Sequence, residues 1–320
     1  MYVERKENEM KDKDKDKAID VAILDLYNNE PNQGMRCIKE LITECDQKIP
    51  GQSVTYSVYE TRYKAIVPGL EQHDIYISSG GPGSPFEGEG SVWEQKYFEL
   101  IDQIWNFNQQ NHDRKKYVFF ICHSFQMMAR FFNLAMIHKR NHQSFGILPV
   151  HKTALANTDS LLRDLPEPYY AADFRQFEVV NPDQKQLDSL QAKVLSIESK
   201  RKDPSLERAL MAIRISEEFM GTQYHPEADP VSMLYHFKQP ERKQQVVDEY
   251  GEDKYYEMIA HLEDSTNIML TRRTILPRFL MNAIHKVRLA NNLKGTFETE
   301  NLLPTQPDIV ASGQKLEETE

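Results

Sequence analysis

Four stretches of the chain are dominated by Val, Ile, Leu, Tyr and Phe and are too short for helices: IDVAILDLYN (19–28), SVTYSVYE, HDIYISS and KYVFFIC. Between them the apolar positions change to helical spacing. Residues 34–48 place Met35, Ile38, Leu41 and Ile42 on one face before Pro50-Gly51 breaks the pattern, and residues 91–108 and 125–137 read as two further helices. Apolar strands without clean alternation, separated by amphipathic helices, predict βαβ units in a doubly wound, mainly parallel α/β sheet with helices on both faces. Around FGILPVHKTALA the pattern changes, and ADFRQFEVV, AKVLSIES and ALMAIRIS read as shorter strands of a mixed or antiparallel portion. From Val231 to Leu293 the chain is charged and helical, with Phe279, Leu280, Ile284 and Val287 in an apolar stripe.

These patterns divide the chain into a charged, disordered tail (1–17, ending in KDKDKDK), a main domain (18–230), a helical C-terminal extension (231–295) and a flexible tail (296–320). With 40% hydrophobic and 28% charged residues the composition is that of a folded globular protein. A formal charge of −10, with no basic block interleaved with aromatics, argues against nucleic acid as a partner. No apolar run approaches the ~20 residues of a membrane span, and the charged N-terminus does not resemble a signal peptide, so a cytoplasmic protein without a membrane partner is expected. The three cysteines, Cys37, Cys45 and Cys122, lack C-x-x-C spacing, which fits a reducing compartment. His138, His142 and His151 have no partners at ligand spacing, so neither a metal nor another cofactor is expected.

In α/β sheets ligands bind at the carboxyl ends of the strands, so the loops there carry the chemistry. After HDIYISS comes GGPGSP (80–85), whose glycines let backbone amides approach a ligand. After KYVFFI comes Cys122, followed at once by a helical pattern. A helix N-terminus favours an anion, here a thiolate, at the residue that opens it. The third loop is GTQYHPE (221–227), in which the stiff Pro226 separates His225 from Glu227, a base and an acid able to orient it. A lone cysteine at a strand end is ordinarily a small buried hydrophobe. What lifts Cys122 above that is the company of the other two loops.

Cysteine, histidine and acid in this order, behind ISSGGPGSP and before GTQYHPE, resemble a class I glutamine amidotransferase domain, the triad type found in the glutaminase parts of GMP synthetase, anthranilate synthase and carbamoyl phosphate synthetase. The resemblance covers about Ile19 to Asp229. It implies a flavodoxin-like sheet, Cys122, His225 and Glu227 as catalytic residues, the backbone N–H groups of Gly81 and His123 as an oxyanion hole, and Gly83 and Gln126 as substrate contacts. ADFRQFEVV falls about where family members hold the substrate α-carboxylate. The family's Gly-x-Cys-x-Gly-x-Gln elbow reads here Phe120-Ile121-Cys122-His123-Ser124-Phe125-Gln126. Ser124 is a small change, whereas Phe120 either forces the turn wider or rotates its ring away from it into the apolar layer under the sheet, and the uniformly apolar residues before it favour the second.

The implied function is a glutaminase that releases ammonia through a cysteine thioester. No P-loop or pyrophosphatase loop follows the domain, so the ammonia acceptor would be a separate synthetase. The C-terminal extension is expected to pack on the main domain or on a second subunit, either covering the ammonia exit or docking the acceptor. Two alternatives stand beside it: a γ-glutamyl hydrolase or peptidase with the same three residues, and a non-catalytic binding or regulatory protein that retains the fold. Glutamine or a γ-glutamyl compound is the expected small-molecule partner, with a homodimer among the candidate assemblies.

Overall fold

The computed structural model describes residues 4–5, 18–49, 52–201, 203 and 205–291. Strands β1 (Glu4–Arg5), β2 (Ile19–Leu24), β3 (Val54–Tyr59), β4 (Ile75–Ser78), β5 (Tyr117–Ile121), β6 (Ala135–Lys152), β7 (Tyr169–Pro182), β8 (Lys193–Glu198), β9 (Leu210–Arg214) and β10 (Phe219–Thr222) form one sheet in the order β1-β3-β2-β4-β5-β10-β9-β8-β6-β7. The pairs β3/β2, β2/β4, β4/β5 and β5/β10 are parallel, and every pair from β10 outward through β7 is antiparallel. The sheet is thus mixed: a parallel α/β half joined to an antiparallel wing. The expected 1–17 and 296–320 tails lie outside the described residues except for Glu4–Arg5, which pair antiparallel with β3.

The two faces are covered separately. Helix α1 (Gln33–Lys48), capped by the Asn32 side chain accepting from the Met35 amide at 2.9 Å, covers one face with Ile38, Leu41 and Ile42. Helices α3 (Val92–Gln110) and α4 (His123–Phe131) cover the other, against Tyr76, Val118 and Phe120, and α5 (Gln184–Leu190) joins the same cluster through Leu187; α2 (Thr61–Lys64) is a single short turn after β3. The sequence predicted a helix over 125–137, but α4 stops at Phe131. Asn133 takes a left-handed φ of 51°, a conformation Asn tolerates better than most residues, and Ala135–Ile137 open β6 instead.

After residue 229 the chain builds two different things. Helices α6 (Pro230–Lys238), α7 (Pro240–Tyr250) and α8 (Glu252–Glu263) pack on the β6–β7 hairpin through a small cluster that includes Ile147, Ala172, Val246, Tyr255 and Met258. Helix α9 (Thr266–Ala290) returns beside α1 and enters the main core with Ile275, Leu276, Leu280 and Ile284, its Phe279 ring 5.1 Å from that of Phe119. A boundary at residue 230 therefore does not separate two cores. No described helix is long and apolar enough to cross a membrane.

Candidate active site

Strand β5 delivers the chain to Cys122, which opens α4 with φ 50° and ψ −98°. Positive φ in a non-glycine residue costs about 1–3 kcal/mol and persists only where the surroundings impose it. Here the Cys122 amide donates to the Thr222 carbonyl on β10 at 2.8 Å, and the Cys122 carbonyl accepts from the Gln126 amide at 3.1 Å. Ser124 does more than replace a glycine. Its hydroxyl accepts from the Ile121 amide at 2.7 Å and donates to the Ser78 carbonyl at 2.7 Å, tying the two arms of the elbow to β4. Phe120 is wholly buried, its ring 6.0 Å from that of Phe219 in the layer beneath α3 and α4. The room for it comes from the neighbouring strand: Gly221 pairs with Phe120, and a Cβ there would stand 3.0 Å from Phe120 Cβ and 2.9 Å from the Phe125 ring.

Beyond β10 the chain leaves the sheet through Gln223 and Tyr224 and reaches His225, whose amide donates to the Ala172 carbonyl of β7 at 2.9 Å. His225 Nδ1 lies 2.8 Å from Glu227 Oε1, and Glu227 is fully buried. Burial opposes a charge on His225, but the Glu227 carboxylate and the Cys122 sulfur, by charge and by hydrogen bonding, outweigh it and hold the imidazole pKa well above its ordinary value. Gln223 Nε2 is 3.9 Å and the Phe174 carbonyl oxygen 4.0 Å from Cys122 Sγ. Gly80 passes so close that a Cβ would stand 2.9 Å from His225 Cε1. The Tyr27 phenol fills the gap beside it, its pKa pushed far up by burial and then by Glu227 and Cys122.

The three sequence-predicted loops therefore meet. A hollow of about 230 Å³ is bordered by Gly81, Gly83, Cys122, His123, Gln126 and Arg175. The Gln126 carboxamide donates to the Phe177 carbonyl at 3.2 Å and to Gln223 Oε1 at 3.3 Å. Gly83 has φ 79°, and a Cβ on Gly81 would stand 2.4 Å from the Leu26 carbonyl oxygen. The amide of His123, the first residue of α4, is among those that a helix leaves without an internal partner. Its ring is another matter: both nitrogens are buried without a hydrogen-bond partner, and burial, then Arg62 and Arg130, push its pKa down to about 3.

Sequence reasoning missed what holds the glycine loop. Arg62, at the start of α2, donates to the Pro82 carbonyl at 2.6 Å and to Glu87 at 3.2 Å. Arg130, on the last turn of α4, donates to the Pro85 carbonyl and to Glu94. Two cations from different elements thus hold two carbonyls of the loop, those of Pro82 and Pro85, and nothing in either local sequence marks this. Tyr27 was likewise unmarked. The other two cysteines are buried, and burial pushes both thiols up to about 12.

A family model described as glutamine amidotransferase class-I matches residues 38–236. Among solved structures, the chain is similar to a glutamine amidotransferase from Thermotoga maritima at 15% identity and a TM-score of 0.59, over 83% of this chain and 98% of that one. It is similar also to the protein SMU.1228c at 18% identity and a TM-score of 0.58, over 83% of this chain and 100% of that one. At these identities the likeness is one of fold. A comparison with curated proteins finds no match.

Proposed function

Because the chain belongs to the class I glutamine amidotransferase family, we propose that it cleaves the side-chain amide of glutamine with Cys122 as nucleophile, His225 as general base and acid, and Glu227 as the orienting carboxylate. The observation that carries this reading is the strained Cys122 at the head of α4, facing an imidazole whose other nitrogen is fixed by a buried carboxylate at 2.8 Å. The Cys122 proton passes to His225, and the thiolate attacks the γ-carbonyl carbon. The amides of His123 and Gly81 receive the oxyanion. His225 then returns its proton to the departing nitrogen, the C–N bond breaks, and ammonia leaves. Water, deprotonated by His225, cleaves the thioester to glutamate and restores the thiol. Gly83 and Gln126 border the place of the glutamyl part. A separate synthetase is the proposed acceptor of the ammonia.

The assay is glutamate release from glutamine by the full chain. Cys122→Ala and His225→Ala should abolish turnover, and Glu227→Ala should leave a residue, since a base without its orienter still functions poorly. Limiting iodoacetamide should label Cys122 ahead of Cys37 and Cys45, whose thiols stay protonated. Turnover surviving in Cys122→Ala would overturn the thiol mechanism.

A further inference from the structure

A second, larger hollow opens beside the first. It measures about 730 Å³, has His225, Glu227 and Tyr27 at its inner end, and is walled outside by Met233 and Phe237 of α6 and Arg242 of α7. The two hollows share one lining residue, Phe174, whose carbonyl faces Cys122 Sγ. The thiol borders the small hollow and the proton donor borders the large one. In the proposed reaction the acyl part must lie against Cys122, and the departing nitrogen must face His225. A substituent on that nitrogen would stand on the His225 side, the side on which the 730 Å³ space lies.

Ammonia has no substituent and fills about as much room as a water, some ~30 Å³. A chamber of this size beside the proton donor, walled by the chain's own helices, suits an amine with a body. Its walls say which kind. Phe174, Met233, Phe237 and Tyr27 offer apolar surface. Of the two arginines, Arg36 is engaged by Glu40 and Asp229, whereas Arg242 Nη1 bonds the neutral Gln245 at 2.9 Å and keeps its charge available. The pKa of neighbouring His236 is pushed down by burial and then by Arg242. Glu227 and Asp229 are the acids of the lining, and His225 and Arg36 respectively answer them.

We propose that the larger hollow is a leaving-group site, and that the preferred substrates are γ-glutamyl amides of apolar amino acids, with the apolar side chain among Phe174, Met233 and Phe237 and the free carboxylate on Arg242. The proposal rests on the Cys122 thioester reading, keeps glutamine as a substrate and ammonia as its product, and adds a larger amine as a second group to which His225 gives its proton. The balance is that of amide hydrolysis. The thiolate forms the C–S bond, the C–N bond breaks, the amine leaves with the His225 proton, and water releases glutamate from the thioester.

The test uses the full chain with three substrates: glutamine, γ-glutamyl-phenylalanine and γ-glutamyl-phenethylamide, which keeps the ring and lacks the carboxylate. Glutamate release gives kcat/KM, and intact mass of quenched samples detects the acyl-enzyme. The expectation is γ-glutamyl-phenylalanine at least about 10-fold above both others, a gap one charge-assisted hydrogen bond can supply. In Arg242→Ala the preference over the phenethylamide should disappear, and in Phe237→Ala both aromatic substrates should fall together. An acyl-enzyme from glutamine with γ-glutamyl-phenylalanine turned over no faster would overturn the leaving-group site and leave the thioester reading standing. A wild-type preference that survives Arg242→Ala would overturn the role of that arginine. No acyl-enzyme from any of the three would overturn the thioester reading and the site with it.

Discussion

Beneath Cys122, Phe119 and Phe120 are wholly buried, and Phe279 and Leu280 of α9 press on the sheet from one side while Phe125 and Met128 of α4 close the other. Over His225 the packing is of another kind. Helix α6 buries only Pro230, leaves Tyr235 73% and Val231 54% exposed, and meets the β6–β7 hairpin through a small satellite cluster. The α9 part of the floor and the α6–α7 roof come from one helical segment, yet only α9 backs the strand that presents the thiol. The roof shapes what can stand beside the histidine. A site assembled this way can change its substrate by altering α6 and α7 without disturbing the strand that presents the nucleophile.

The sharpest way to break this comparison is to end the chain after Asp264. That removes α9 and with it Ile275, Leu276, Leu280 and Ile284, each worth about 2–5 kcal/mol by truncation, against a total stability of about 5–15 kcal/mol. Circular dichroism and gel filtration should show an unfolded or aggregated product. A soluble product with native ellipticity would mean that α9 is no part of the floor. Next in size is Phe120→Ala, with an expected loss of about 3–5 kcal/mol in urea melts, while Tyr235→Ala on the roof should change stability by no more than about 0.5 kcal/mol. Equal losses would erase the distinction.

A finer comparison sets the two histidines beside the thiol against each other. His123 keeps its neutral form down to about 3 in the folded protein, whereas an unfolded histidine takes a proton near about 6.5. Its stabilising effect is therefore present above that unfolded value and lost as pH falls toward the folded one, at about 1.4 kcal/mol per pH unit. His123→Leu should flatten the acid side of the melting-temperature profile. His225 has the opposite sign. Its raised pKa contributes stability that is full below the unfolded value and is lost as pH rises through the folded one. The smallest effect expected is on the His225 ring proton resonance, whose titration midpoint should move down in Cys122→Ala as the sulfur's attraction is lost. A midpoint unmoved by that substitution would separate the two side chains.

The parallel half of the sheet was legible because strands buried on both faces write continuous apolar runs, and the site loops were legible because glycine and proline mark backbone that must approach a ligand. The antiparallel wing was harder. Ala135 to Ile137 extend the periodicity of α4, and only the left-handed Asn133 cuts it. Division at residue 230 followed the rise in charge, although the apolar stripe of Phe279, Leu280, Ile284 and Val287, read in the same segment, is what α9 buries in the main core. Contacts between remote segments, such as Arg62 and Arg130 on the glycine loop, leave no local trace, since the carbonyls they bind are present in every residue.

Gly221 lies on the strand beside the elbow, opposite Phe120, and the two positions share one volume. The requirement usually written as a glycine before the nucleophile is better stated as a vacancy condition on that volume, which either strand can satisfy. In the language of codes, the constraint is a parity over two letters rather than a fixed letter at one. A pattern that scores each position alone counts Phe120 as an error, whereas one that reads the strand pair finds the word correctly spelled.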